Sequence, residues 1–233
     1  MNKYKTIGII GGQGLSSTAD FYMRIAKYYQ ENLNARYVRD FPPMVIFSVP
    51  GPDLVQGNDN EQMTFDLIAE AVKKLERDGC DFIVIVCNSL QYLIGRLQVL
   101  VKIPIIGVAP ITARCLKDKG YKTVGILATD TTIKNDAFKA PLQELGIELV
   151  APNEADQKIV ESIILNEIGG VATDKDRDNL KSAVGNLRQK GAQAVLLACT
   201  ELPLLINQRD TDVPLVDCND LYAIETAKLS SQI

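Results

Sequence analysis

The chain contains an internal repeat, and this repeat limits the folds that are open to it. Residues 4–21, YKTIGIIGGQGLSSTADF, align with residues 121–138, YKTVGILATDTTIKNDAF. A second pair, GCDFIVIVCNS at 79–89 and GAQAVLLACTE at 191–201, places a cysteine at the end of an apolar run in each half. We therefore expect two similar halves, with the two cysteines at equivalent positions.

Short apolar runs alternate with helix-length segments along the chain. The runs are rich in β-branched residues and lack polar alternation, which is typical of strands buried on both faces in a parallel sheet. They occupy residues 6–10, 44–49, 82–86, 103–108, 123–127, 147–151, 194–198 and 213–217. The helical segments end at Gly79, Gly120 and Gly191, and glycine is common at the ends of helices. The pattern predicts a doubly wound α/β fold with mainly parallel sheets.

The repeat also predicts how the chain divides into domains. We expect a first α/β domain over residues 1–112 and a second over residues 113–216. Residues 217–233 are predicted to form a helix that packs back on the first domain. Ligands of open parallel sheets bind beyond the carboxyl ends of the strands, here in the crevice between the halves. Both cysteine loops then belong to one site.

The composition narrows the classes of partner. The 233 residues carry a net charge of −4 with a pI near 5.0, which argues against nucleic acid or an anionic membrane surface. No apolar run approaches the roughly 18 residues of a membrane span, and the first residues show no signal-peptide pattern. We therefore expect a cytoplasmic protein that binds a small molecule. A homodimer is possible on base rates alone.

Histidine is absent from the sequence, whereas cysteine occurs five times. The lack of histidine removes the usual general base and every Ser-His or Cys-His nucleophile pair. The cysteines are scattered and form no CxxC motif, so we expect free thiols and neither a disulfide framework nor a metal site. Cys80, Cys115 and Cys218 lack the strand-end context of the other two and are interpreted as structural.

Cys87 and Cys199 are the candidate catalytic residues. Each follows a buried strand, and the polar residues Asn88, Ser89 and Thr200 come next as helix-capping candidates. A thiol beside a helix N-terminus has its thiolate stabilised by the peptide dipoles, which predicts a lowered pKa. The alternative interpretation of each cysteine alone is an inert core residue, but two at equivalent strand ends are hard to explain in that way.

A facing thiolate and thiol can act together on a carbon acid. One group removes a proton while the other delivers a proton to the opposite face, which inverts the centre without any cofactor. Glu201 is interpreted either as a residue that orients Cys199 or Thr200, or as a carboxylate that stabilises a helix start. Thr129 and Thr132 are either hydroxyl donors to the ligand or an ordinary helix cap.

The segment GIIGGQG at 8–14 ends the first strand in glycines. It does not match the dinucleotide motif G-x-G-x-x-G, because Ser16 and Ser17 occupy the place of the third glycine, and no GK[ST] follows. We interpret it as a turn that lets the backbone approach a small anion.

These motifs resemble those of the aspartate/glutamate racemase family. GIIGGQGLSST, CNSLQ and ACTE resemble the family patterns G-I-[IL]-G-G-M-G-P-x-A-T, C-N-T-x-H and [GA]-C-T-E, and the resemblance covers essentially the whole chain. It implies two pseudo-symmetric Rossmann-like domains that enclose a cofactor-independent two-cysteine site. It also implies roles for eight residues: Cys87 and Cys199 as catalytic acid/base groups, and Gln13, Asn88, Ser89, Thr129, Thr132 and Thr200 as substrate-binding residues. Glu201, which could orient Cys199 or Thr200, is added to the expected substrate-binding residues.

The chain departs from the family pattern at three positions. Gln13 replaces a methionine, Leu15 a proline and Gln91 a histidine, and a glutamine cannot titrate. Members that act on acidic amino acids also need a cation for the side-chain carboxylate. The segment SVPGPDLVQGND contains no arginine and LNEIGGV contains no lysine, which leaves Arg24 and Arg39 as cations that could fold into the site.

The leading hypothesis is a pyridoxal-independent amino-acid racemase that uses two thiols. A second hypothesis keeps the fold but changes the reaction to isomerisation or decarboxylation of a small dicarboxylic acid. A third is a non-catalytic protein that binds a small ligand, which the glutamines at positions 13 and 91 motivate.

Overall fold

The protein folds into two parallel β-sheets flanked by helices. The computed structural model describes residues 4–55, 57 and 60–232. The strands in this part of the chain are β1 (Ile7–Gly11), β2 (Met44–Ser48), β3 (Phe82–Ile85), β4 (Ile105–Ile106), β5 (Thr123–Leu127), β6 (Glu148–Val150), β7 (Ala194–Leu197) and β8 (Leu215–Asp217). Each of the eight apolar runs forms a strand, as predicted.

Helices fill the connections between the strands. The α-helices are α1 (Leu15–Asn32), α2 (Glu61–Arg77), α3 (Ile94–Gln98), α4 (Val108–Asp118), α5 (Asp130–Lys134), α6 (Lys139–Glu144), α7 (Glu154–Ile168), α8 (Asp174–Gln189), α9 (Leu202–Leu205) and α10 (Cys218–Ser231). Short 3-10 helices span Val38–Asp40, Asn88–Leu93 and Gln208–Asp210. None of the described helices is both long and apolar enough to span a membrane.

The two sheets have the same topology. Their strand orders are β2-β1-β3-β4 and β6-β5-β7-β8, and every neighbouring pair is parallel. Ile7 of β1 lies opposite Phe82 of β3, just as Val124 of β5 lies opposite Ala194 of β7. This duplicated arrangement confirms the predicted α/β fold with two pseudo-symmetric halves. It also brings the carboxyl ends of all strands in one sheet to the same edge.

Side chains alternate along each central strand between two apolar clusters. In β1, Ile7 and Ile9 pack into a central cluster, whereas Ile10 packs into the cluster on the other face of its sheet. In β5, Val124 and Ile126 pack into the same central cluster from the second half. Because a strand directs successive side chains to opposite faces, each sheet contributes one face to a core that both halves share.

The C-terminal helix α10 belongs to this shared core. It packs against α1 and α4, and its buried Tyr222 crosses to the first sheet. The Tyr222 hydroxyl donates to the carbonyl of Ile106 at 2.5 Å and accepts from the backbone N–H of Ile85 at 3.0 Å. The division into domains at 112/113 and 216/217 stays a prediction, and its first boundary falls within α4.

Tyr222→Phe is expected to destabilise the fold. The variant keeps the ring but leaves the buried N–H of Ile85 and the partly buried carbonyl of Ile106 without this partner, which costs about 1–3 kcal/mol of unfolding free energy. Urea denaturation followed by circular dichroism measures this loss. Tyr22→Phe is the matched control, because Tyr22 is largely exposed and should change the unfolding free energy by less than about 0.5 kcal/mol. Equal stability of both variants would contradict the role of the Tyr222 hydroxyl.

Candidate functional site

The two repeated cysteines lie at one cavity between the halves. Cys87 follows β3, Cys199 follows β7, and both thiols line a cavity of about 270 Å³ at the carboxyl edges of the sheets. They are 8% and 7% exposed. The repeat in the sequence therefore corresponds to a repeat in space, because equivalent strand ends of the two sheets meet at this cavity.

Burial decides the acidity of both thiols. Burial first, and the nearby negative charge of Glu201 second, raise the pKa of Cys87 to about 12. The backbone N–H groups of Ser89 and Leu90 favour the thiolate but do not compensate. The pKa of Cys199 is likewise raised well above its ordinary value, first by burial and then by Glu201. The expectation of a lowered pKa was wrong, because loss of solvent outweighs the dipoles of a few peptide groups.

The Glu201 carboxylate accepts hydrogen bonds from three buried side chains. One carboxylate oxygen, Oε2, accepts from the Cys199 thiol at 3.2 Å and from the Thr200 hydroxyl at 2.8 Å. The other, Oε1, accepts from the Ser17 hydroxyl at 2.7 Å. Ser17 lies in the first turn of α1, so this contact joins the first half to the second. The Glu201 carboxylate therefore contacts both Cys199 and Thr200, as the first of its two interpretations requires.

The glycine turn after β1 makes room for the Glu201 carboxylate. Gly14 has a φ of 148°, and a Cβ atom built on it would lie 1.9 Å from Oε1 of Glu201 and 2.6 Å from the Ser17 hydroxyl. A side chain at this position would both strain the backbone and displace the carboxylate. The anion beside this turn is thus a side chain of the protein itself, which the sequence alone did not indicate.

Polar side chains of the two halves meet beside Cys87. Asn88 lines the cavity, and its buried amide nitrogen has no hydrogen-bond partner among the described residues. The hydroxyls of Ser89, Thr129 and Thr132 lie within 2.8–3.1 Å of one another and form a closed triangle across the halves. Ser89 and Thr129 line the cavity, whereas Thr132 lies behind them and lines a different one. Thr129 also caps α5, as the second of its two interpretations requires, whereas donation to a ligand stays a prediction.

The two glutamines that depart from the family pattern have different positions. Gln13 lines the cavity and donates to the carbonyl of Val49 at 2.8 Å. Gln91 is turned inward: its amide nitrogen donates to the carbonyls of Ile85 and Cys87, and its oxygen accepts from the N–H of Val108 at 2.9 Å. Gln91 therefore fixes the backbone around Cys87 and is not among the residues that line the cavity.

The cations considered from sequence lie elsewhere. Arg24 pairs with the carboxylates of Asp20, Asp217 and Asp220 at 2.6–3.0 Å, and Arg39 stacks on the ring of Tyr37. No lysine or arginine lines the cavity within the described ranges.

The remaining cysteines and the acidic side chains form no further centre in the part of the chain that the structure describes. Cys80, Cys115 and Cys218 are free and do not line the cavity. No group of three or more acidic or cysteine side chains is arranged to hold a metal ion among these residues.

The sequence did not indicate several residues at or beside the cavity. Aliphatic side chains from the loop after β2 and from α7 line it: Leu54, Val55, Ile164, Leu165 and Ile168. Ser17 contacts Glu201 without lining the cavity itself. Ser17 offered a signal, because it stands where a nucleotide-binding loop would have glycine. The aliphatic residues offered none, since they cannot be distinguished from ordinary core positions in a sequence.

Comparisons with known proteins identify the family and the fold that this chain shares. The family model of the Asp/Glu/Hydantoin racemase family matches residues 10–226. The broad specificity amino-acid racemase RacX of Bacillus subtilis (strain 168) is 25% identical over 94% of this chain and 96% of its own length. Among solved structures, an aspartate racemase homologue from Pyrococcus horikoshii OT3 is 27% identical with a TM-score of 0.82, over 98% of this chain and 100% of that chain. The aspartate racemase of Picrophilus torridus is 26% identical with the same TM-score, over 96% and 94%.

Glu201→Gln should make Cys199 more reactive towards an alkylating reagent. The substitution removes the negative charge that raises the pKa of the Cys199 thiol and replaces it with an amide that can donate to a thiolate. A larger thiolate fraction follows, and only the thiolate reacts. Alkylation by iodoacetamide between pH 7 and 9.5, with each cysteine peptide quantified by mass spectrometry, measures the change. The exposed Glu70→Gln is the control, and an unchanged rate at Cys199 in Glu201→Gln would contradict this account.

Proposed function

This chain belongs to the Asp/Glu/Hydantoin racemase family, and on that premise we propose that it is an amino-acid racemase in which Cys87 and Cys199 carry out both proton transfers at the α-carbon. The observation that carries the proposal is the presence of two thiols from equivalent strand ends at one cavity. A single inert core cysteine would have no counterpart in the other half.

The two sulfur atoms act as acid and base at the α-carbon. The thiolate of one cysteine takes the α-proton and becomes a thiol, while the electron pair of the broken C–H bond spreads into the substrate carboxylate. The thiol of the other cysteine then delivers its proton to the opposite face and becomes the thiolate. One α-proton is replaced, the centre is inverted, and the two sulfurs have exchanged protonation states. No electron sink from a cofactor enters this sequence of steps.

The cavity offers suitable partners for the substrate carboxylate. The unpaired amide of Asn88 can donate to one carboxylate oxygen, and the hydroxyls of Ser89 and Thr129 lie next to it. A carboxylate that accepts from these groups gains charge-assisted hydrogen bonds, which strengthen as charge develops during deprotonation. Thr200 lines the same cavity on the side of Cys199, and its hydroxyl donates to Glu201.

Glu201 is proposed to receive the proton of the Cys199 thiol. The thiol already donates to Oε2 at 3.2 Å, so the proton has a short path to a carboxylate. A buried thiolate is costly to form, but the raised pKa that reflects this cost also makes the thiolate a stronger base towards a carbon acid. The ammonium group of a bound amino acid offsets part of the cost by placing a positive charge near the sulfur.

Replacing each cysteine separately should abolish racemisation but leave different partial reactions. With Cys87→Ser, the remaining Cys199 can remove and return the proton of only one enantiomer, so exchange proceeds with retention. Cys199→Ser should show the same behaviour with the other enantiomer. Proton NMR of L- and D-amino acids in D₂O measures α-proton exchange, and chiral chromatography of the same samples measures inversion.

Cys115→Ser is the matched control for these variants, because Cys115 is a partly exposed thiol in α4 away from the cavity. It should keep wild-type racemisation. Racemisation that survives in both single variants would contradict the two-thiol mechanism. Turnover of maleate-like or malonate-like acids without amino-acid exchange would favour the dicarboxylic-acid reaction instead.

Gly14→Ala should lower racemisation about 10²-fold or more, in the range expected for losing a positioned acid–base group. The new Cβ would occupy the place of the Glu201 carboxylate and remove the proton acceptor from Cys199. Gly185→Ala is the control, because Gly185 lies within α8 with nothing near its added Cβ. The ratio of turnover in the two variants, at equal folded fraction, tests the role of Gly14. Equal turnover would contradict it.

Two coarser expectations accompany this proposal. The protein is proposed to act in the cytoplasm and to be able to form a homodimer. Light scattering after size-exclusion chromatography measures the second point directly.

A further inference from the structure

Part of the cavity lining is aliphatic, and we call this part the aliphatic wall. The loop after β2 contributes Leu54 and Val55, and the end of α7 contributes Ile164, Leu165 and Ile168. These two segments follow the corresponding edge strands of the two sheets, β2 and β6. The cysteines follow the more central strands β3 and β7, so the wall stands to one side of them. A substrate whose carboxylate binds at Asn88 has its side chain available to contact this wall.

The wall is fixed in place by packing across the halves. Val55 belongs to the first half by sequence, yet it is buried in the apolar cluster of the second half, together with Ile164 and Cys199. Leu54, the preceding residue, is buried in the cluster of the first half. Both residues are about 95% buried. Leu54, Val55 and Ile164 are therefore packed parts of the wall, whereas Ile168 is 50% exposed.

The charges at the cavity have one sign. Asp53 and Glu201 line it, and Glu167 of α7 lies close enough for the Glu201 charge to help raise its pKa, after the effect of its own burial. Positive side chains do not line it among the residues that the structure describes. A second substrate carboxylate would lose its hydration here and face like charges.

We infer that the substrate is an α-amino acid with an uncharged, predominantly apolar side chain, held by the aliphatic wall of Leu54, Val55, Ile164, Leu165 and Ile168. This inference rests on the proposed racemase function and excludes the dicarboxylic amino acids as preferred substrates. Apolar contact with the wall favours binding of such a side chain. The carboxylates of Asp53 and Glu201 disfavour a second negative charge on the substrate.

Comparison of amino acids with nearly equal shape distinguishes the effect of side-chain charge on the reaction from the effect of side-chain size. Glutamine and glutamate, and asparagine and aspartate, differ chiefly by one charge, while leucine and methionine report on apolar contact. We expect kcat/KM for α-proton exchange to be at least tenfold higher for each amide than for its acid, and highest for leucine or methionine. A higher kcat/KM for aspartate or glutamate than for the matching amide would overturn the inference.

Isothermal titration calorimetry with the same six amino acids keeps this test independent of turnover. Binding of leucine or methionine without exchange of any amino acid would contradict the proposed function and leave the inferred side-chain preference standing. Tighter binding of glutamate than of glutamine would overturn the preference even if racemisation occurs. Binding of none of the six would overturn both.

A charge placed on the wall should reverse the preference. Ile168 is 50% exposed at the end of α7, so Ile168→Arg can be accommodated without unfolding the core. The variant should raise the ratio of glutamate to glutamine exchange at least tenfold and lower exchange of leucine. Val171→Arg is the control, because Val171 is 65% exposed, lies three residues further on and does not line the cavity. An equal change of the ratio in both variants would overturn the placement of the side-chain subsite.

Discussion

The site depends on a buried carboxylate that is stabilised only by uncharged donors in the described structure. Glu201 is 3% exposed, and its two oxygens accept from a thiol and two hydroxyls. Such a group is tolerated because each neighbour contributes a hydrogen bond to a charge, and these are about twice as strong as neutral ones. Gly14, Ser17 and Thr200 are all constrained by this requirement, since each of them either makes room for the carboxylate or donates to it.

The carboxylate also makes a symmetric scaffold into an asymmetric site. The sheets, their strand order and the positions of the cysteines repeat, but the residue two places after Cys199 is an acid, whereas Ser89 stands two places after Cys87. One thiol therefore has a proton acceptor in direct contact. The other is surrounded by an amide and hydroxyls that suit a substrate carboxylate. The two sulfurs share a position in the fold but differ in their chemical environment.

The sequence predicted the fold well because the relevant signal is local. Apolar runs without alternation identify buried parallel strands, and the repeat aligns the halves, so the strands and the meeting of Cys87 with Cys199 followed from patterns alone. The raised pKa values of the two thiols could not be predicted from the sequence, because they depend on how far the folded chain excludes water from each sulfur. No short segment of sequence determines that. The neighbours of Glu201 were also inaccessible, since Ser17 and Glu201 are 184 positions apart. Ile164 and Leu165 lie on a helix whose apolar residues could equally face a core or a cavity.

The central cluster shared by both sheets has a consequence for how this architecture could arise. Ile7 and Phe21 from one half pack in the same cluster as Val124 and Phe138 from the other. A single half would expose that apolar face to water and would need a copy of itself to cover it. Joining two such halves in one polypeptide covers this face on both sides. It also lets the two strand-end loops carry different residues, so that a carboxylate stands on one side only.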